Sequence, residues 1–125
     1  MSVRLRNPAA LAFLGCFLAP GGWAIQHWVG FSVNQARCNG PGRAAAPVDA
    51  LTLAATVLAF VLSVIGLMSA IAAYQATKEI EEDGPPPGSR VRFMAVVGIA
   101  ITPLFMCIFL MSGIGTFFLD VCRQS

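Results

Sequence analysis

Three long stretches of the chain contain no Lys, Arg, Asp or Glu: residues 9–36, 50–77 and 93–119. Each exceeds the roughly 20 residues that an α-helix needs to cross the hydrocarbon core of a bilayer. Inside that core every backbone N–H and C=O must pair within its own segment, which selects helices or a closed barrel. Barrel strands are short and alternate in polarity, whereas these runs are continuous and apolar on all sides. The sequence therefore predicts an all-α, polytopic membrane protein: three transmembrane helices in a small bundle, spanning about 9–36, 48–77 and 91–119. With 125 residues in all, the spans leave no room for a separate soluble domain. Only 11% of residues are charged and the net charge is +2, too slight and scattered for a nucleic-acid partner.

The segments between the spans read as punctuation. Residues 37–43 (RCNGPGR) have the glycines, proline and charges of a water-exposed turn. Pro47 is placed to open the second helix, where its missing N–H costs nothing, and Asp49 falls in the first turn, where the macrodipole favours an acid. That helix emerges at Lys78, and Gly84-Pro85-Pro86-Pro87-Gly88 ends it. The acidic group Glu79, Glu81, Glu82 and Asp83 reads as a solvated helix end.

Orientation follows from Lys and Arg near the span ends. The N-terminus and second loop hold five (Arg4, Arg6, Lys78, Arg90, Arg92) and the first loop and tail hold three (Arg37, Arg43, Arg123). Five against three places the N-terminus in the cytoplasm and the C-terminus outside. Leu14-Gly15-Cys16 faintly resembles a lipoprotein cleavage box, but the sequence stays hydrophobic beyond Cys16, which favours an uncleaved helix.

Polar and helix-disturbing residues inside the spans are the candidates for function. Pro20, Gly21 and Gly22 should bend or open the first helix, and interrupted helices mark binding sites in transporters. Gln26 and His27 follow within two turns, and an ionisable group inside a span is a functional hypothesis by default. Trp23, His27, Asn34 and Cys38 fall at offsets of four, seven and four, which predicts a polar stripe on one face turned toward protein. A hydrogen-bonded His27 at a helix contact is the main reading. The alternatives are axial haem ligation, where a bis-histidine site would need a second histidine from another chain, and proton handling with a partner subunit.

In the second span Ala55, Ala59 and Ser63, followed by Gly66 and Ala70, form a ridge of small residues that lets helix backbones approach closely. The ridge predicts a central place for that helix. In the third, Pro103 should bend the helix by freeing the Ile99 carbonyl, with Thr102 available to satisfy it. Its Phe and Met residues, including Phe105, Met106, Phe109, Met111, Phe117 and Phe118, read as a face for lipid or a partner helix.

Cys16 and Cys107 lie inside spans, where a thiol behaves as a small hydrophobe. Cys38 and Cys122 each lie just past the end of a span. Three crossings put those two ends on one side of the membrane, the oxidising side on this orientation, and a Cys38–Cys122 disulfide is expected. No phosphate-binding loop, catalytic triad, paired carboxylate or zinc spacing is present, so neither catalytic residues, nor a metal, nor a cofactor is expected and the chain is not read as an enzyme.

Trp23, Gln26, Cys38, the Phe/Met-rich third span and Cys122 together resemble a group of small three-helix membrane proteins of proteobacteria, encoded near haem–copper cytochrome oxidases. The resemblance implies an accessory subunit or assembly factor of a respiratory complex in the bacterial inner membrane. Its partners would be the bilayer and a larger membrane-protein complex. A different class of function, a small homo-oligomeric transport or channel protein, would use the broken first helix and the His27/Asn34 stripe to line a path.

Overall fold

The computed structural model describes residues 7–39, 48–81, 83–119 and 122. These form three helices: α1 Pro8–Asn39, α2 Val48–Thr77 and α3 Gly88–Phe118. Among the described residues there is no strand. All three helices are long and apolar enough to cross a membrane. Pro47, the turn at 40–46, Glu82 and the tail apart from Cys122 lie outside the described residues.

Local chemistry sets most of the helix ends. Asn7 caps α1, its Oδ1 accepting from the N–H groups of Ala9 and Ala10 at 3.2 and 3.4 Å. Pro8 follows at the first helical position, where proline is pre-organised. Asp49 does fall in the first turn of α2. Past the end of α2, Arg92 of α3 reaches back: its Nη1 donates to the Lys78 carbonyl at 2.8 Å and to that of Ile80. Its guanidinium lies 5.6 Å from the centre of the Tyr74 ring. One side chain thus satisfies carbonyls that the helix end leaves without intrahelical partners, and fixes the α2–α3 turn. The third helix begins at Gly88, a few residues earlier than expected, so Arg90 lies in its first turn.

Apart from Phe109 and Gln26, the buried residues are small. On α1 they are Ala12, Gly15, Ala19, Gly22 and Gln26; on α3 they are Ala95, Gly98, Thr102, Phe109 and Gly113. On α2 the whole expected ridge of Ala55, Ala59, Ser63, Gly66 and Ala70 is buried, extended by Thr52 and Ala73. Steps of three and four recur on every helix, the period of left-handed helix packing. The large apolar side chains point the other way: Trp28, Met111 and Phe118 are 75%, 72% and 84% exposed. A soluble bundle would bury these and expose polar residues. Small inside and large apolar outside is the arrangement of helices packed in lipid, where close backbone approach replaces the hydrophobic effect as the source of association.

The closest approach lies near the N-terminal half of α1. A Cβ on Gly15 would stand 2.6 Å from Cβ of Ala70, and one on Gly98 would stand 2.9 Å from the carbonyl of Gly15. Three backbones therefore meet at Gly15, Ala70 and Gly98. Because each helix packs on both others, α2 is not uniquely central, contrary to the expectation from its ridge. The first and third helices carry equivalent small-residue seams.

Both interior prolines are accommodated without a break. The first helix runs on through Pro20, and α3 through Pro103. The opening expected at Pro20-Gly21-Gly22 is not formed: Gly22 packs 3.2 Å, measured to its virtual Cβ, from the Ala59 backbone, and that contact holds the segment in the bundle. Thr102 hydrogen-bonds the Gly98 carbonyl at 2.7 Å, not that of Ile99. The hydroxyls of Ser63, Ser69 and Thr77 likewise donate to carbonyls four residues back, each at 2.8 Å.

Candidate functional site

The polar contact that joins all three helices is made by Gln26, next to the histidine that sequence reasoning favoured. Gln26 continues the Ala12–Gly15–Ala19–Gly22 seam and is 4% exposed. Its Nε2 donates to Oγ1 of Thr56 on α2 at 2.9 Å and to the carbonyl of Phe109 on α3 at 3.1 Å. Thr56 passes its own proton to the Thr52 carbonyl at 2.9 Å. The order is fixed by donor chemistry: an amide NH₂ has two protons, and here they go to two different helices. Phe109 is fully buried beside this node, the one member of the Phe/Met group that serves as core.

His27 lies about 100° around the helix from Gln26 and emerges on the outer surface of the bundle. The expected stripe is therefore split. Trp23 is half-buried and its ring stands 5.9 Å from that of Phe105 on α3. The His27 imidazole stacks on Trp23 at 5.4 Å, and no hydrogen bond to His27 is formed among the described residues. Asn34 is half-buried. The seam chosen by size excludes the stripe: a groove in which glycine meets alanine at van der Waals contact cannot hold an indole or an imidazole. Trp23 and His27 are thus pushed to its rim.

At the far end of the bundle Cys38 and Cys122 are joined by a disulfide, with Cα atoms 5.5 Å apart. The expected pairing is formed across a sequence separation of 84, and it ties the ends of α1 and α3 at one end of the bundle. Arg37 and Asp49 face each other beside it at 3.7 Å. The two remaining cysteines are free. Cys16 donates to the Met94 carbonyl on α3 at 3.0 Å, whereas Cys107 is exposed on the outer face and is not the buried thiol that its place in a span led us to expect. No cluster of three or more His, Cys, Asp or Glu able to hold a metal ion occurs among the described residues.

The sequence points to Gln26, with Trp23, His27 and Asn34, as a polar helix contact, and Gln26 is one; its role as the junction of all three helices, and the seams of α1 and α3, were missed. The usable signal was the three-and-four spacing of Ala and Gly that leads directly to Gln26.

Comparison with protein-family models, curated proteins and solved structures gives no match. Fold and site together define a class: a multi-pass membrane protein whose three helices are held by small-residue seams, one glutamine node and one disulfide.

Proposed function

We propose that this chain is an accessory subunit or assembly factor of a larger membrane complex, with the His27 face of α1 as its docking surface. The observation that carries the reading is the outward position of the imidazole. His27 lies about 7 Å beyond the midpoint of the uncharged run 9–36, at about 1.5 Å rise per residue, and so within a hydrocarbon core of about 30 Å. A polar ring facing lipid there, with no hydrogen bond from the described residues, is costly by about 2 kcal/mol or more. A neighbouring protein that offers a donor or acceptor removes that penalty. Trp23, stacked on one side of the ring, presents it in a fixed orientation.

The kind of complex comes from the resemblance carried by Trp23, Gln26, Cys38, the Phe/Met-rich third helix and Cys122, which points to a respiratory oxidase of the haem–copper type in a bacterial inner membrane. The orientation proposed from charge, with the N-terminus in the cytoplasm, is supported by the disulfide, because a Cys38–Cys122 bridge persists on an oxidising side. The competing reading, a homo-oligomeric transport protein, depended on an opened first helix, and α1 is continuous through Pro20.

Tagged protein extracted from its own membranes in mild detergent tests the proposal. Haem-containing subunits should co-purify, with their absorbance in the eluate, and His27→Leu should reduce their recovery while the variant itself stays monodisperse. A stable homo-oligomer with no other chain would favour the transport reading instead.

A further inference from the structure

Two cavities on the disulfide side of the bundle share a wall. The first, of about 370 Å³, is polar and lies at the helix ends, lined by Arg37, Asp49, Thr116 and Phe117 among others. The second, of about 340 Å³, is a groove between α2 and α3 walled by Leu53, Val57, Phe60, Leu110, Ile114 and Phe117. Phe117 lines both, so a charged mouth adjoins an apolar groove on the outer face of the bundle.

Dimensions and charge identify an occupant. From Asp49 to Phe60 the helix rises about 16 Å at about 1.5 Å per residue, which is close to half of a hydrocarbon core about 30 Å thick. Mouth and groove together therefore reach about as deep as one leaflet, the reach of one acyl chain, with the groove itself lined from Thr52 to Phe60 on α2. Among the described residues its mouth holds one cation and one anion 3.7 Å apart, their side chains 49% and 75% exposed. An exposed pair of this kind contributes little by itself, so a ligand carrying both complementary charges exchanges it at small cost.

We propose that this surface binds one phospholipid with a zwitterionic, primary-amine head group. The phosphate is held by the Arg37 guanidinium and the ammonium by the Asp49 carboxylate. One acyl chain lies in the α2–α3 groove, against Phe117 at the top and Phe60 at the bottom. The Arg37 fork accommodates two phosphate oxygens, and a primary ammonium, unlike a quaternary one, donates hydrogen bonds to Asp49. The lipid fills a cleft that the three helices leave unpacked and links the disulfide end of the bundle to its middle.

Native mass spectrometry of the full chain tests this. The detergent-solubilised protein is titrated with phosphatidylethanolamine, phosphatidylcholine or phosphatidylglycerol of identical acyl chains. The expected result is a single retained adduct with phosphatidylethanolamine, at an apparent affinity about threefold above the other two. Arg37→Gln/Asp49→Asn should abolish the preference among heads, and Val57→Trp, which fills the groove from an exposed position, should remove the adduct for all three. Both variants change exposed side chains, and an intact Cys38–Cys122 bridge, read from the same spectra, reports that the bundle has formed. Three results would overturn the proposal: equal retention of all three lipids by the wild type, tighter retention of phosphatidylglycerol, or displacement of the lipid by tail-less glycerophosphoethanolamine.

Discussion

Gly98 of α3 stands against Gly15 of α1 so closely that a methyl group on Gly98 would lie 2.9 Å from the Gly15 carbonyl carbon and oxygen. The third helix at this level, Ala70 of α2, is 3.1 Å from the same point. Glycine is required here for proximity, since its φ is not positive. The bundle is built outward from this crossing.

Replacing Gly98 with Leu should accordingly separate the helices. Overpacking of a tight interior costs about 1–3 kcal/mol, and here the obstacle is backbone, which cannot rotate away. Gly21, whose added Cβ would meet nothing within 4 Å, supplies the control: Gly21→Ala should leave stability unchanged or slightly raised. Unfolding of both variants in mixed micelles, followed by circular dichroism, separates the two cases.

Gln26→Leu should cost about 1 kcal/mol. Hydrogen bonds between membrane helices average about 0.6 kcal/mol each, and two are lost. In a double-mutant cycle with Thr56→Val the two changes should be less than additive, because they remove one shared bond. Full additivity would mean that the Gln26–Thr56 contact carries no energy.

The spans and the Cys38–Cys122 bridge were legible in the sequence because charge and chain crossing determine them directly. So was the α2 ridge. The face of α1 was not. In an amphipathic soluble helix polarity marks the buried side, but in lipid both sides are apolar and only size distinguishes them. The Ala12–Gly15–Ala19–Gly22 seam carries that information in steps of three and four, while Pro20, Gly21 and His27 draw attention to the wrong residues. A polar residue was expected to turn inward, and Gln26 does. His27, one position on, cannot follow, since a helix turns about 100° per residue.

Cysteine chemistry gives a third prediction. Under non-reducing conditions Cys38 and Cys122 should be found joined, whereas Cys16 and Cys107, free thiols inside spans, should stay reduced, since apolar surroundings suppress the thiolate. Removing the bridge with Cys38→Ser/Cys122→Ser should lower stability by about 4–5 kcal/mol on the chain-entropy model for an 84-residue separation. Peptide mapping after alkylation in intact membranes reads both outcomes.

Topology follows from the charge count. An alkaline phosphatase reporter after Ser125 should be active, and one placed near Pro86 inactive. The reverse pattern would place the disulfide end in the cytoplasm and contradict the orientation proposed from both charge and redox chemistry.

The central claim is that the His27 face of α1 is covered by another protein in the membrane. A photo-crosslinking amino acid at Ala24, exposed and one turn from His27, probes that face without disturbing the seam; Val61 on the exposed side of α2 is the control position. Irradiation of intact membranes should join position 24 to a subunit of a haem–copper oxidase, and His27→Leu should weaken that product. If position 24 yields only lipid adducts, or only dimers of this chain, the docking account is wrong.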